Sequence, residues 1–166
     1  LSSRALILAL AFAVASCGFR LRGAAELPFQ TLYLPGANAG IGLDLKRNIQ
    51  AGTGTKVVDN PAAAEAVLVF TQEARDKEIL SLTSTGRVRE FQLRYRVGFR
   101  VHDGKGADYV PASVIQLTRD VTYSDAEILA KEQEEQLLFR DMQSDMVQQI
   151  MRRLAAAKPQ KPAAGK

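Results

Sequence analysis

The sequence predicts an α+β domain: a four-stranded, mostly antiparallel or mixed sheet with two helices packed on one face, in the order β-α-β-β-β-α. Three observations lead there. Residues 87–103, "RVREFQLRYRVGFRVHD", alternate apolar and polar side chains over more than twice the length of an ordinary strand. Residues 40–50 and the stretch after Ser124 place their apolar residues at helical spacing instead. Two amphipathic helices and one amphipathic sheet are expected to meet on the single apolar sheet face.

Taken in order, Pro28 to Leu34 ("PFQTLYL") reads as a first strand, closed by Pro35-Gly36. Gly40 to Gln50 ("GIGLDLKRNIQ") sets Ile41, Leu45 and Ile49 at steps of four, a short amphipathic helix. The following "AGTGTK" is glycine-rich, but it trails a helix where a phosphate-binding loop trails a strand, so it reads as a helix stop. Ala66 to Glu73 ("AVLVFTQE") is a strand apolar enough at its start for an inner position.

In the long alternating strand, Phe91, Leu93, Tyr95, Val97, Phe99 and Val101 share one face, and Glu90, Gln92, Arg94, Arg96 and Arg100 the other. "HDGKGAD" is its turn, and Ser113 to Tyr123 its partner strand, with Ile115, Leu117, Val121 and Tyr123 on the apolar side. Ser124-Asp125-Ala126-Glu127 fits a capping box that opens a helix reaching to about Ala157. Its stripe is Leu138, Phe139, Met142, Met146, Ile150 and Leu154. Acids (Glu127, Glu132, Glu134, Glu135) crowd its first half and Arg152 and Arg153 close it, as the helix dipole favours. The other sheet face would carry Arg94, Arg96, Arg100, Gln116, Thr118 and Thr122. Such a face is either a solvated surface or an interface, and the pattern leaves both open.

The N-terminus has its own logic. Arg4 precedes the ten apolar residues Ala5 to Val14, and the small residues Ala15 and Ser16 lead to Cys17, the one cysteine of the chain. As a helix that run covers about 15 Å, half of a ~30 Å hydrocarbon core, so it reads as a signal-peptide segment rather than a membrane span. "VASC" resembles a bacterial lipobox, in which the cysteine thiol is alkylated by diacylglycerol, the chain is cut before it, and the new amine is acylated. Without a second cysteine no intramolecular disulfide forms. The chain then divides into a signal peptide (1–16), one domain (17–155) and a basic, disordered tail (156–166) in which Pro159 and Pro162 stop the helix. Two or more acyl chains on Cys17 would anchor the domain stably. Gly18 and Phe19 follow the cysteine where inner-membrane lipoproteins tend to have aspartate, which points to the outer membrane, periplasmic side.

A length of 166 residues suits one domain with a real core, and 46% hydrophobic with 24% charged residues is ordinary globular composition. The net charge of +4 suits nucleic acid, an anionic membrane or a phosphorylated glycolipid. Export argues against nucleic acid. Enzyme signals are poor: His102 is the sole histidine and Cys17 is committed to lipid, so neither a zinc site nor a Cys–His pair can be assembled. Glu134-Glu135 and Asp103/Asp108 read as a solvated helix face and turn residues rather than an acid–base pair. The expectation is a non-enzyme with no cofactor and no metal.

Several stretches together resemble the LPS-assembly lipoprotein family: "CGFRLRG" after the lipobox, "STGRVREFQLRYRVGFRV", and "TRDVTYSDAEILAKEQEEQLLFRDMQSDMVQQIMRRL". The resemblance implies a small domain of four strands and two helices. It implies a partner, the large outer-membrane barrel (LptD) that inserts lipopolysaccharide, which the family plugs and helps to fold. It also implies contact with lipopolysaccharide itself, and the positions matching the family's basic sites are Arg87 or Arg89, and Lys131. Arginine suits that role because its guanidinium pairs phosphate oxygens two at a time. The competing function is a lipoprotein that faces the periplasm and binds an amphipathic or lipid ligand alone.

Overall fold

The computed structural model describes residues 26–124 and 128–158. The expected leader, Cys17, capping-box positions 125–127 and the tail from 159 onward lie outside the described residues. The elements are β1 (Thr31–Tyr33), α1 (Gly40–Gly52), β2 (Lys56–Val58), a 3-10 turn (Pro61–Ala63), β3 (Ala66–Leu82), β4 (Val88–His102), β5 (Asp108–Thr122) and α2 (Ile128–Ala155). They form one sheet in the order β2-β1-β3-β4-β5. β1 runs parallel to β2 and β3, while β3, β4 and β5 form an antiparallel meander.

The α+β class and both helices agree with expectation, but the sheet has five strands, not four. The added strand, β2, is only three residues long, too short to show a period. What defines it is non-local: the Thr55 hydroxyl donates to the Phe29 carbonyl at 2.9 Å, and the Lys56 N–H donates to the Gln30 carbonyl at 2.8 Å. β1 is shorter than the 28–34 run suggests, and β5 begins at Asp108, five residues before the expected Ser113. The largest difference is β3, which continues past Glu73 through "ARDKEILSL" to Leu82. Charged residues disfavour strands in isolation, and here partners on β4 and α2 stabilise them.

One contiguous core lies between the helices and one sheet face. α1 buries Ile41, Leu45 and Ile49, α2 buries Met142, Met146, Val147, Ile150 and Leu154, and β4 supplies Leu93, Tyr95, Val97, Phe99 and Val101. The two helices touch: Gln143 donates to Asp44 and Gln148 donates to Asn48. At about 1.5–3 kcal/mol for each large buried side chain, this end of the molecule carries most of the stability. Two glycines are required by close approach. A Cβ on Gly42 would lie 2.4 Å from the Gly36 carbonyl oxygen, and one on Gly98 would lie 2.6 Å from the Thr71 hydroxyl, beside the bulge between Phe70 and Gln72.

Candidate functional site

The sheet face away from the helices is built by the period-2 pleat of β4. Asp76 stands opposite Arg94 and Glu78 opposite Gln92, so each arginine reaches diagonally to an acid on β3. Arg94 holds Glu78 in a fork at 2.8 and 2.6 Å, and Arg96 holds Asp76 at 2.6 Å. Gln92 donates to Asp120 at 3.1 Å and Arg100 to Asp108 at 2.8 Å, which carries the ladder across to β5. The Nε atoms of Arg94 and Arg96 are sealed from solvent and find no acceptor among the described residues. An unmet donor costs about 1–3 kcal/mol, whereas an exposed ion pair contributes about 0–1 kcal/mol. Stability alone therefore does not account for this face.

The second region is the far end of the meander. The β3–β4 turn closes with the Thr83 N–H donating to the Arg87 carbonyl at 2.7 Å, and Gly86 takes the left-handed φ of 78° that the turn requires. The Tyr123 N–H donates to the Arg89 carbonyl at 2.8 Å. One residue earlier, the Thr122 hydroxyl accepts from Lys131 Nζ at 3.3 Å, and the same ammonium pairs with Glu134 at 2.8 Å. The structure thus brings Arg87, Arg89 and Lys131, distant in sequence, to one end of the molecule. Arg87 and Arg89 are exposed, whereas the Lys131 side chain keeps only 18% of its surface.

The same elements carry exposed apolar side chains that the sequence pattern did not single out. Ile79, Leu80 and Leu82 lie near the tip, Ile128, Leu129 and Leu137 in the first half of α2, and all are exposed. Among the described residues only Val114 is a comparable exposed apolar side chain elsewhere. For the three on β3 the signal was the run "ILSL" directly after five charged or small residues, hidden because β3 was expected to stop earlier.

The helical face of β3 is polar in its second half and ties α2 down. Tyr95, fully buried, donates to Glu73 at 2.8 Å; burial raises its phenol above the usual tyrosine range, and the Glu73 carboxylate adds to that. Arg75 stacks over the Tyr95 ring and donates to Gln143, and Lys77 lies 4.3 Å from the centre of the Phe91 ring and pairs with Glu135. The acids considered for catalysis are occupied: Glu134 with Lys131, Glu135 with Lys77, Asp108 with Arg100. Asp103 accepts the Lys105 and Ala107 N–H groups in its turn, which hold its carboxyl below the ordinary range. His102 accepts the Gly104 N–H through Nδ1, a turn-closing role. Among the described residues no three His, Cys, Asp or Glu side chains cluster to hold a metal.

Comparison with known proteins fits this arrangement. A lipoprotein B from Nitrosomonas europaea, solved in solution, is 45% identical, with a TM-score of 0.73 over 84% of this chain and 91% of that one. The crystal structure of rare lipoprotein B from Shewanella oneidensis is 27% identical, with a TM-score of 0.64 over 76% of this chain and 94% of that one. The LPS-assembly lipoprotein LptE of Photorhabdus laumondii is 26% identical over 153 residues, which span 90% of this chain and 83% of the relative. The pattern of the lipopolysaccharide-assembly family LptE matches residues 29–154, essentially the whole described domain, and the chain belongs to that family.

Proposed function

We propose that this chain is an outer-membrane lipoprotein, anchored through acylated Cys17 on the periplasmic side, that plugs and helps assemble the lipopolysaccharide translocon barrel (LptD). In that position it would bind lipopolysaccharide and help deliver it to the outer membrane. The observation that carries the plug reading is the uncovered ladder of Arg94–Glu78 and Arg96–Asp76. A barrel lumen is polar and wet, so its plug needs an ordered hydrogen-bonding surface where a free domain needs only solubility.

Glycolipid binding is assigned to the far end. Arg87, Arg89 and Lys131 supply charge for phosphates, and Leu80, Leu82 and Leu129 supply apolar surface for acyl chains. A carrier acting alone would need an apolar chamber. The depression of about 350 Å³ beside β5, lined in part by Glu65, Asp103 and Lys105, is not such a chamber.

The test is R87E/R89E/K131E in the full-length lipoprotein. Its affinity for purified lipopolysaccharide should fall at least tenfold, about 1.4 kcal/mol, while recovery with the barrel stays unchanged. Unchanged lipopolysaccharide affinity would remove these residues as the site.

A further inference from the structure

The C-terminal end of α2 meets the start of β5 in an open depression of about 340 Å³. Arg153 and Lys158 line it with Tyr109, Pro111, Ala156 and Ala157, and no acid among the described residues does. Lys77, Arg94, Arg96, Arg100, Arg119 and Lys131 each pair with a carboxylate. By contrast, Arg152, Arg153 and Lys158 are exposed and pair with no acid among the described residues; Arg153 reaches only the Phe99 ring, 6.0 Å from its centre. The α2 dipole leaves about half a negative charge at this end, far less than three cations supply. Glu65 and Asp103 line the neighbouring depression, which shares Tyr109, and there they accept the N–H groups of Gln30, Lys105 and Ala107.

The sequence continues the charge on both sides. Residues 146–166 hold five Lys or Arg and no acid, and residues 17–30 hold Arg20 and Arg22 against Glu26 alone. The chain also enters the domain here: Leu27 packs on the core, and the Phe29 ring meets the Tyr109 ring edge-on at 5.3 Å. Glu26 is nine residues after Cys17, a reach of at most about 30 Å. β3 carries the β3–β4 tip about 50 Å away, at ~3.3 Å per residue over Ala66–Leu82. An acyl anchor on Cys17 therefore holds this end of the molecule, rather than the tip, near the bilayer.

We infer that the depression binds the phosphate headgroup of an anionic phospholipid in the leaflet that holds the acyl chains. The inference rests on the proposed anchoring through Cys17. Arg153 and Lys158 supply the charge for the phosphate, and Tyr109 and Pro111 supply an apolar wall with a polar edge at headgroup level. Acyl chains and a basic patch together make a firmer attachment than acyl chains alone, and one that salt weakens.

The experiment uses the full-length lipoprotein, in which acylation of Cys17 leaves no other thiol, with a fluorophore at A156C in the depression or at S84C on the tip. Excess vesicles carrying a headgroup quencher are made of phosphatidylcholine, alone or with phosphatidylglycerol. Quenching at position 156 should rise about threefold or more with phosphatidylglycerol at low salt and fall back in high salt, while position 84 changes little. R153E/K158E should cancel the rise and K161Q/K166Q should not. Equal quenching on both vesicles, a full rise in R153E/K158E, or a rise cancelled by K161Q/K166Q would each overturn the inference. Lipopolysaccharide also carries phosphate; stronger quenching with it than with phosphatidylglycerol at equal phosphate would assign the depression to the glycolipid and overturn the phospholipid reading. Flotation with phosphatidylcholine vesicles reads the anchor separately. A chain that does not float refutes acylation of Cys17, while quenching on phosphatidylglycerol still decides the depression.

Discussion

Replacing Lys77 by methionine keeps most of the aliphatic stem and removes the charge that holds the first part of α2. The helix is fastened unequally along its length. Its second half buries Met142, Met146, Val147, Ile150 and Leu154, each contributing about 1.5–3 kcal/mol. Its first half rests on polar contacts, Lys77–Glu135 and Lys131–Thr122, with Leu138 and Phe139 only partly buried. The Lys77–Glu135 pair is about two-thirds to three-quarters shielded, so about 1 kcal/mol is a fair upper value, and the contact with Phe91 adds about 0.5–1 kcal/mol. Together the loss is about 1–2 kcal/mol, a factor of about 5–30 in a local opening equilibrium. Amide exchange over residues 128–138 should therefore accelerate by that factor in K77M, while residues 142–154 keep the rate set by global unfolding. Equal acceleration of both halves, or none in 128–138, would refute the division of the helix into a packed half and a latched half.

Other consequences are as direct. G42A should lose stability despite the roughly 1 kcal/mol that alanine gains over glycine in a helix, because its Cβ meets backbone at 2.4 Å and the loop at Gly36 must move. A net loss of about 1–2 kcal/mol in urea unfolding is expected, and a variant as stable as the parent would contradict the close approach. Asp103 is depressed in the folded state by the Lys105 and Ala107 N–H groups, so its stabilisation is complete above its unfolded value near 4 and is lost as pH falls through the folded value. The Tm gap between the parent and D103A should thus narrow steadily below about pH 4, and a gap that widens there would reverse the sign of the argument.

Much of the fold was legible because its information is local. The alternation of β4 and the four-step spacing of Ile41, Leu45 and Ile49 each sit within one element, and the buried residues follow them. β2 was illegible because three residues carry no period; its place is set by Thr55 and Lys56 finding the backbone of Phe29 and Gln30. The second half of β3 was illegible for a related reason. Its charges are stabilised by Arg94, Arg96 and residues of α2, separated from it by 16 to 68 positions. The polar face of β4 could be read from sequence; the acids that complete the ladder and the exposed apolar tip required the extended β3.

The central claim is that this family member works inside the translocon, and co-purification tests it most directly. Full-length lipoprotein, tagged at its C-terminus and extracted from outer membranes in mild detergent, should bring down the lipopolysaccharide translocon barrel in a fixed ratio. Recovery of the lipoprotein from the same membranes without any large barrel protein would contradict the account.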